Sequence, residues 1–355
     1  MSIYIQSASH ISMQKPLSEE WMEMPVIPDS IYMQSVEPDY KPFISPMEAR
    51  RMGTLVKRAL ATSLDTLRKG NCEMPDAVIS GTGLGCVEHT EKFLNAVIDN
   101  DEECLPPTSF MQSTHNTISS QIALRLKCHG YNSTYSHRGT SFDSALFDAF
   151  MQLSLKQIRT ALVGAHDEMT PDYFLMLSKL GYWKSNFFTL EQLRKGEESG
   201  SISGSCSLSM LLSSQRQETT LCELKDMELF YRPGILQSRH AVNDILLRNS
   251  LLISDIDAVV MGWSGDRDND DVYHELKNHI FQKTPTLWYK QMFGEGFSAS
   301  SFGTYVAAVC LHEGRIPAHL FHDPEEAETY HCEPKNILVY NHFQDRDHSI
   351  ILLSK

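Results

Sequence analysis

The sequence predicts an α/β fold whose two halves follow one layered plan. Three observations carry this. Short β-rich apolar runs alternate with helical patterns along the 355 residues, the signature of sheets covered by helices. Comparable runs occur in both halves. A small-residue elbow, "STYSHRGT" (133–140), leads straight into a strongly amphipathic segment.

In the first half, "DAVISGTG" (76–83) reads as a buried strand ending in a Gly-rich turn. After the elbow, Phe142, Ala145, Leu146, Ala149, Phe150 and Leu153 fall on one stripe of a helix, and such a stripe faces a core. "TALVGAHDE" (160–168) and "GSCSLSMLLSS" (204–214) read as further strands, with Cys206 in the core. In the second half, "LCELKDMELF" (221–230), "IDAVVMGWSGD" (256–266), "NILVYNHF" (336–343) and "SIILLS" (349–354) read as strands. "SASSFGTYVAAVCLHEG" (298–314) reads as a small-residue helix that buries Cys310 and stops at Gly314. Residues 10–45 hold five prolines and little periodicity, and read as a long surface loop. Residues 190–203 read as a polar exposed loop. The halves, placed at 1–215 and 216–355, are not similar enough in sequence to establish a repeat.

Composition narrows the function. The chain is 41% hydrophobic and 21% charged, as in soluble globular proteins. No apolar run is long enough to cross a bilayer, and the start, "MSIYIQSASH", lacks the pattern of a signal peptide. The formal net charge of −14 argues against nucleic acid and anionic membrane as partners, both of which need a basic surface. Eight cysteines without a CxxC point to reduced thiols in a cytoplasmic protein. Cys86 with Glu88 and His89, Cys128 with His129, and His331 with Cys332 supply metal-ligand types, but none has the paired spacing of a zinc site; no metal is expected. "GTGLG" (81–85) lacks the spacing and acidic partner of a dinucleotide turn.

Five stretches together resemble the β-ketoacyl-acyl-carrier-protein synthases, of the thiolase fold. They are "VISGTGLGCVEHTEKFL" (78–94), "SFMQSTHNTISSQIALRLKCHGYNSTY" (109–135), "ALVGAHDEM" (161–169), "YKQMFGEGFSAS" (289–300) and "YNHFQDRDHSIILL" (340–353). Their order and spacing hold from about residue 50 to the end of the chain. The resemblance implies a thiolase-like duplication in five layers, α/β/α/β/α. "STHNT", "HRGTSF" and "GEGFSAS" look closest to the synthase-like proteins of aryl-polyene and flexirubin pigment pathways.

The resemblance also implies a site whose chemistry is gone. In the family a cysteine at the head of the central helix becomes an acylated thiolate, and two histidines assist decarboxylation and hold the oxyanions. Aligning the family's Ala-Leu with Ala145 and Leu146 puts Gly139 at the cysteine position. The first histidine falls at Gly262 or Trp263, according to whether Asp270 or Asp271 matches the family's aspartate. The second falls at Glu295, five residues after a retained Lys290. The Gly-rich gating loop becomes "FQDRDHS" (343–349), with Phe343 kept and Asp345 where its aromatic residue would be. The family includes chain length factors, which lack the cysteine and pair with an active synthase.

Other readings remain beside this one. Thr140 or Ser141 could act as nucleophile with His137 as base, although a hydroxyl there more often caps the helix. His137 and Arg138 could bind an acyl or phosphopantetheine oxygen; the preferred reading pairs Arg138 with Glu295 inside a filled site. "EARRMGTLVKR" (48–58) could touch an acidic carrier protein, or form one solvated helix face. The expected partners are an active synthase and an acyl carrier protein, with a homodimer when the chain is alone. No cofactor is expected beyond acyl groups carried on the phosphopantetheine of that carrier. An active synthase with an unorthodox site, and an acyl-binding scaffold, are the alternatives.

Overall fold

The computed structural model describes residues 2–105, 107–186 and 189–355. Ten strands form one mixed sheet: β1 (Ile3–Ile11), β2 (Ala77–Gly81), β3 (Tyr131–Tyr135), β4 (Thr160–Asp167), β5 (Cys206–Ser213), β6 (Cys222–Tyr231), β7 (Ala258–Met261), β8 (Thr286–Trp288), β9 (Asn336–Phe343) and β10 (Asp347–Ser354). Their order is β3-β2-β4-β5-β1-β6-β10-β9-β7-β8. Read inward from each end, β3-β2-β4-β5-β1 and β8-β7-β9-β10-β6 are the same path. The duplication is thus written in topology where sequence similarity between the halves is too low to show it.

The helices supply the layers. α1 (Thr54–Lys69) and α2 (Thr117–Leu126) pack on the outer face of the first half of the sheet. α3 (Ser141–Ser154) packs on β2 and β4, and touches α6 (Ser300–Glu313), which packs on β9. α4 (Ile235–Arg248) covers the outer face of the second half beside α5 (Asp271–His279). Three apolar clusters fill the spaces between: one around α3 and α6, one under α1 and α2, one under α4 and α5. This is the five-layered α/β/α/β/α arrangement expected.

The stripe on α3 behaves as its spacing predicts: Phe142, Ala145, Leu146, Ala149 and Leu153 are buried, and Phe150 packs partly against them. Cys206 and Cys310 are buried, as expected. Three expectations need correction. Residues 190–203 are not all loop. Thr189 caps a short helix, Leu190–Lys195, through a reciprocal capping box with Gln192, and Ser201 and Ser203 are buried. Residues 48–58 are not one solvated helix face. The helix breaks before Gly53, and Arg58 is buried and ion-paired to Glu37. Residues 10–45 do form a long connection, but β1 precedes it and lies at the centre of the sheet. Gln6, Ser7, Ser9 and His10 break its apolar pattern, yet all four are buried. Ser9 Oγ donates to Asp65 and Ser7 Oγ to the Thr66 carbonyl, each at 2.7 Å, so burial costs these groups little. Among the described residues no helix is long and apolar enough to cross a membrane.

Candidate functional site

Gly139 sits in the turn ahead of α3. A Cβ placed there would lie 2.1 Å from Cβ of Phe343 and 2.5 Å from its Cγ. The obstruction is anchored close to the backbone of β9, so even an alanine forces the two elements apart. Phe343 packs in turn on Phe297, with ring centroids 4.8 Å apart. The aromatic ring retained from the gating segment therefore closes the position where the resemblance places a thiol.

The turn itself is held by its own hydroxyls. Ser141 Oγ accepts from the His137 amide at 2.9 Å and donates to the Arg138 carbonyl at 2.7 Å, while Thr140 Oγ1 donates to the His137 carbonyl. Neither is the helix cap expected, because neither accepts from an amide of the first helical turn. His137 Nδ1 is 3.0 Å from Ser144 Oγ, and not within hydrogen-bonding range of Ser141 or Thr140 through its ring. The expected pairing of His137 with Thr140 or Ser141 is thus replaced by one with Ser144. Arg138 adopts a left-handed backbone, φ 51°, and its side chain is exposed.

Of the two candidates for the first histidine position, Gly262 lies beside Lys290. Asp270 is buried, and its carboxylate accepts from the Ser264 amide at 3.0 Å, the Ser264 hydroxyl at 2.9 Å and the Gly265 amide at 2.7 Å. It thereby holds the loop after β7. Burial pushes its pKa up to about 7 despite these donors and the nearby Lys290 charge. Asp271 is exposed at the start of α5 and plays no part in the site. Trp263 points away, stacked on His322 with centroids 4.4 Å apart. At Gly262 a Cβ would meet Asn341 Oδ1 at 2.2 Å, Tyr273 Oη at 2.5 Å and Lys290 Nζ at 3.0 Å. Polar groups of three elements occupy the space a ring would need.

Glu295 pairs with Lys290, Nζ to Oε2 at 2.6 Å, and not with Arg138. This corrects the expected pairing. Lys290 heads the short helix after β8, and the chain turns at Gly294, φ 76°, bringing Glu295 back over it. A side chain at Gly294 would strike Gly204 Cα at 2.5 Å; this close approach lets Glu295 N–H donate to the Ile202 carbonyl and Gly204 N–H to the Glu295 carbonyl. Burial raises the Glu295 pKa, with Lys290 opposing it. Sequence alone held the clue: both residues lie in one short segment, whereas the expected partner came from elsewhere in the chain.

Two further residues of the site carry no signal in the sequence. His342 is buried, stacks on Tyr273 with centroids 4.5 Å apart, and accepts from the Asp345 amide through Nδ1; burial and the neighbouring charges hold its pKa well below the usual histidine range. Asp143, on α3, accepts from Ser300 Oγ at 2.7 Å and ties the two central helices together. Asp345, at the gating position, is exposed. Two cavities adjoin Glu295, each of about 10 Å³. That is room for one water, against roughly 300–1,000 Å³ for a ligand pocket. The cysteine and histidine pairs at 86–89, 128–129 and 331–332 gather no further ligands: among the described residues no three metal-ligating side chains stand together.

A thiolase-like fold whose central elbow is packed shut thus defines a class of synthase-like proteins. Residues 19–221 match the family described as "Beta-ketoacyl synthase, N-terminal domain", more than half of the 355-residue chain, and the protein belongs to the β-ketoacyl synthase family. No curated protein matches it significantly in sequence. Solved structures match in fold. The ishigamide ketosynthase/chain length factor superposes with TM-score 0.82 at 14% identity, covering 100% of this chain and 99% of that one. A ketosynthase (ApeO) in complex with its chain length factor (ApeC) from Xenorhabdus doucetiae gives 0.78 at 13%, covering 99% and 98%. A type II polyketide synthase acyl-carrier protein complex with its ketosynthase, AntDE:AntF, gives 0.79 at 12%, covering 99% of each.

Proposed function

We propose that this chain is a non-condensing, chain-length-factor-like subunit that pairs with an active β-ketoacyl synthase. The observation that carries the reading is Gly139 pressed under Phe343, which leaves no place for an acylated thiol. Glu295, standing for a histidine and bound to Lys290, gives a developing oxyanion no imidazole donor. The pathway is of the polyketide or fatty-acid kind, in the aryl-polyene or flexirubin branch by its motifs. Its acyl groups travel on the phosphopantetheine of a carrier protein that the active subunit serves.

An open sheet edge supports the pairing. β3 ends the sheet, and Tyr131 on it is exposed. Beside it, Phe147, Met151 and Leu155 form a second apolar stripe along α3, all exposed, and Leu124 of α2 is exposed on the other side. An unpaired edge flanked by apolar side chains is a template for another sheet.

The test is co-expression with an active β-ketoacyl synthase from the same organism. The two chains should purify at equal stoichiometry, and only the partner should gain mass when incubated with acyl-carrier protein. Gly139→Cys should restore no condensation. An acyl adduct on this chain, or synthase products unchanged in length and rate without it, would overturn the assignment.

A further inference from the structure

A cavity of about 260 Å³ lies on the outer side of the first half, where the short helix Pro46–Ala49, the start of α1, the helix Pro107–Ser113 and α2 meet. The sheet separates it from α3 and the Gly139 turn. Its floor is apolar. Val56 is buried, Met52 packs on the cluster under α1 and α2, and Met47 stands exposed at the rim. Set into this wall are polar groups that nothing in the fold takes up. Gln112 Oε1 is buried and has no hydrogen-bond partner among the described residues; native folds seldom leave such an oxygen unpaired without a reason. Arg51 is exposed at the mouth and pairs with no carboxylate among the described residues. The other charge in the wall, Glu48, is already engaged: Oε1 accepts from Arg125 at 2.9 Å, and Oε2 from the Ser45 amide and hydroxyl at 3.0 and 2.6 Å. Thr117 Oγ1 donates to the Met111 carbonyl at 3.1 Å. What is left over is one cation, Arg51, one buried acceptor, Gln112 Oε1, and the carboxamide of Gln121.

We propose that this cavity binds a small hydroxylated monocarboxylate. Arg51 holds its carboxylate, its hydroxyl donates to Gln112 Oε1, and its short apolar chain lies against Met52 and Val56. The leftover groups select this chemistry. A guanidinium grips a carboxylate through two parallel N–H···O bonds, and the N–H groups that remain face water because Arg51 is exposed. A cationic ligand would meet Arg51. A phosphate dianion would meet Glu48 with only one unpaired cation to hold it. A divalent metal needs several oxygen ligands at once, and no three metal-ligating side chains stand together among the described residues. A plain fatty acid satisfies Arg51 but leaves Gln112 Oε1 unpaired. The volume is just under the roughly 300–1,000 Å³ of common ligand pockets, so the chain must be short. Because the cavity lies across the sheet from the Gly139 turn, binding here does not rest on pairing with a synthase.

The experiment titrates the full chain with 3-hydroxyhexanoate by ligand-observed NMR at about pH 7, where a carboxylate is ionised. Hexanoate, which lacks the hydroxyl, and methyl 3-hydroxyhexanoate, which lacks the charge, are the comparison ligands. The hydroxy acid should bind saturably, hexanoate about fivefold more weakly and the ester about tenfold more weakly. Gln112→Leu should bring the hydroxy acid and hexanoate to equal affinity, and Arg51→Gln should do the same for the hydroxy acid and its ester. Met52→Trp fills the cavity and should abolish binding, while the melting temperature confirms a folded variant. No saturable binding, an ester or a hexanoate that binds as well as the hydroxy acid, or binding unchanged in a folded Met52→Trp protein overturns the proposal. The comparison of the three ligands uses the unaltered protein and decides the matter even if a variant does not fold.

Discussion

The two ends of the sheet are counterparts in the duplicated path, yet they are finished differently. β8 is three residues long and wholly buried. Its outer side is satisfied within the chain: the Thr286 amide donates to Glu326 and the His322 amide to the Thr286 carbonyl, each at 2.9 Å, while Phe321 bridges to Leu287. β3 is five residues long and partly to fully exposed along its length. No strand covers its outer side among the described residues. The central helices differ in the same sense. Twelve residues of α6, from Ser300 to Leu311, are buried, whereas α3 turns Phe147, Met151 and Leu155 outward. One repeat seals itself and the other stays open; under the proposed pairing, recognition falls to the first half and rigidity to the second.

The strongest way to break this contrast is at the open edge. Phe147→Asp with Met151→Asp should abolish pairing with the synthase at micromolar concentration in sedimentation velocity. Interface anchors of this kind cost about 2 kcal/mol or more each. Pairing that survives both changes would place the interface elsewhere.

At the closed edge the loss should appear as stability instead. Phe321→Ala removes a side chain that is only 2% exposed, and should cost ~3–5 kcal/mol in urea unfolding while leaving β8 open to aggregation. A similar loss follows just past β8. Lys290→Met strands Glu295 without its partner, and removal of one member of a buried pair costs roughly 3–5 kcal/mol. Adding Glu295→Gln to Lys290→Met should recover part of that loss. A Lys290→Met protein as stable as the parent would show that the pair carries no load.

The smallest expected effect is on pH. Asp270 and Glu168 have pKa values raised to about 7 in the fold, above their values in an unfolded chain. Such groups stabilise most when protonated in both states, and that stability is lost as pH rises through the folded value. Buried His10 and His322, held down to about 4, act in the opposite direction as pH rises through about 6.5, and so do His166 and His342, whose pKa values burial also lowers. The two sets oppose each other near neutrality, so the carboxylate contribution shows as a difference: from about pH 6 to 8 the melting temperature of Glu168→Gln should rise relative to that of the parent. A difference between the two proteins that does not change with pH would contradict a raised Glu168 pKa.

Much of this was legible in the sequence. The α3 stripe, β2, β4, β5, β6, β7, β9 and β10 follow from β-rich apolar stretches or helical spacing, because burial imposes those patterns directly. β1 was hidden by four polar residues whose burial depends on partners far along the chain. β3 and β8 were hidden because an edge strand of five residues and a covered one of three give too short a signal. At the site, the positions of Gly139, Gly262 and Glu295 could be counted from motifs. That Phe343 blocks Gly139, and that Lys290 rather than Arg138 faces Glu295, depends on how β9 and the Gly294 turn approach other elements. Spacing does not encode such approaches.

The place of β1 bears on how the chain reaches this state. It precedes the other described strands in the chain, yet its neighbours are Ser207–Ser213 and Cys222–Leu224. Until those residues emerge, Ser7 and Ser9 can bond to α1 and His10 to Ser18, but Gln6 lacks its partners Gln215 and Thr220. Pairings of such long sequence separation slow folding, since chain closure comes before the contacts that reward it. Seating β1 between the two halves is then expected late in building the sheet. A bulky extension fused directly ahead of Ile3 would hinder that seating more than any change at the outer helices.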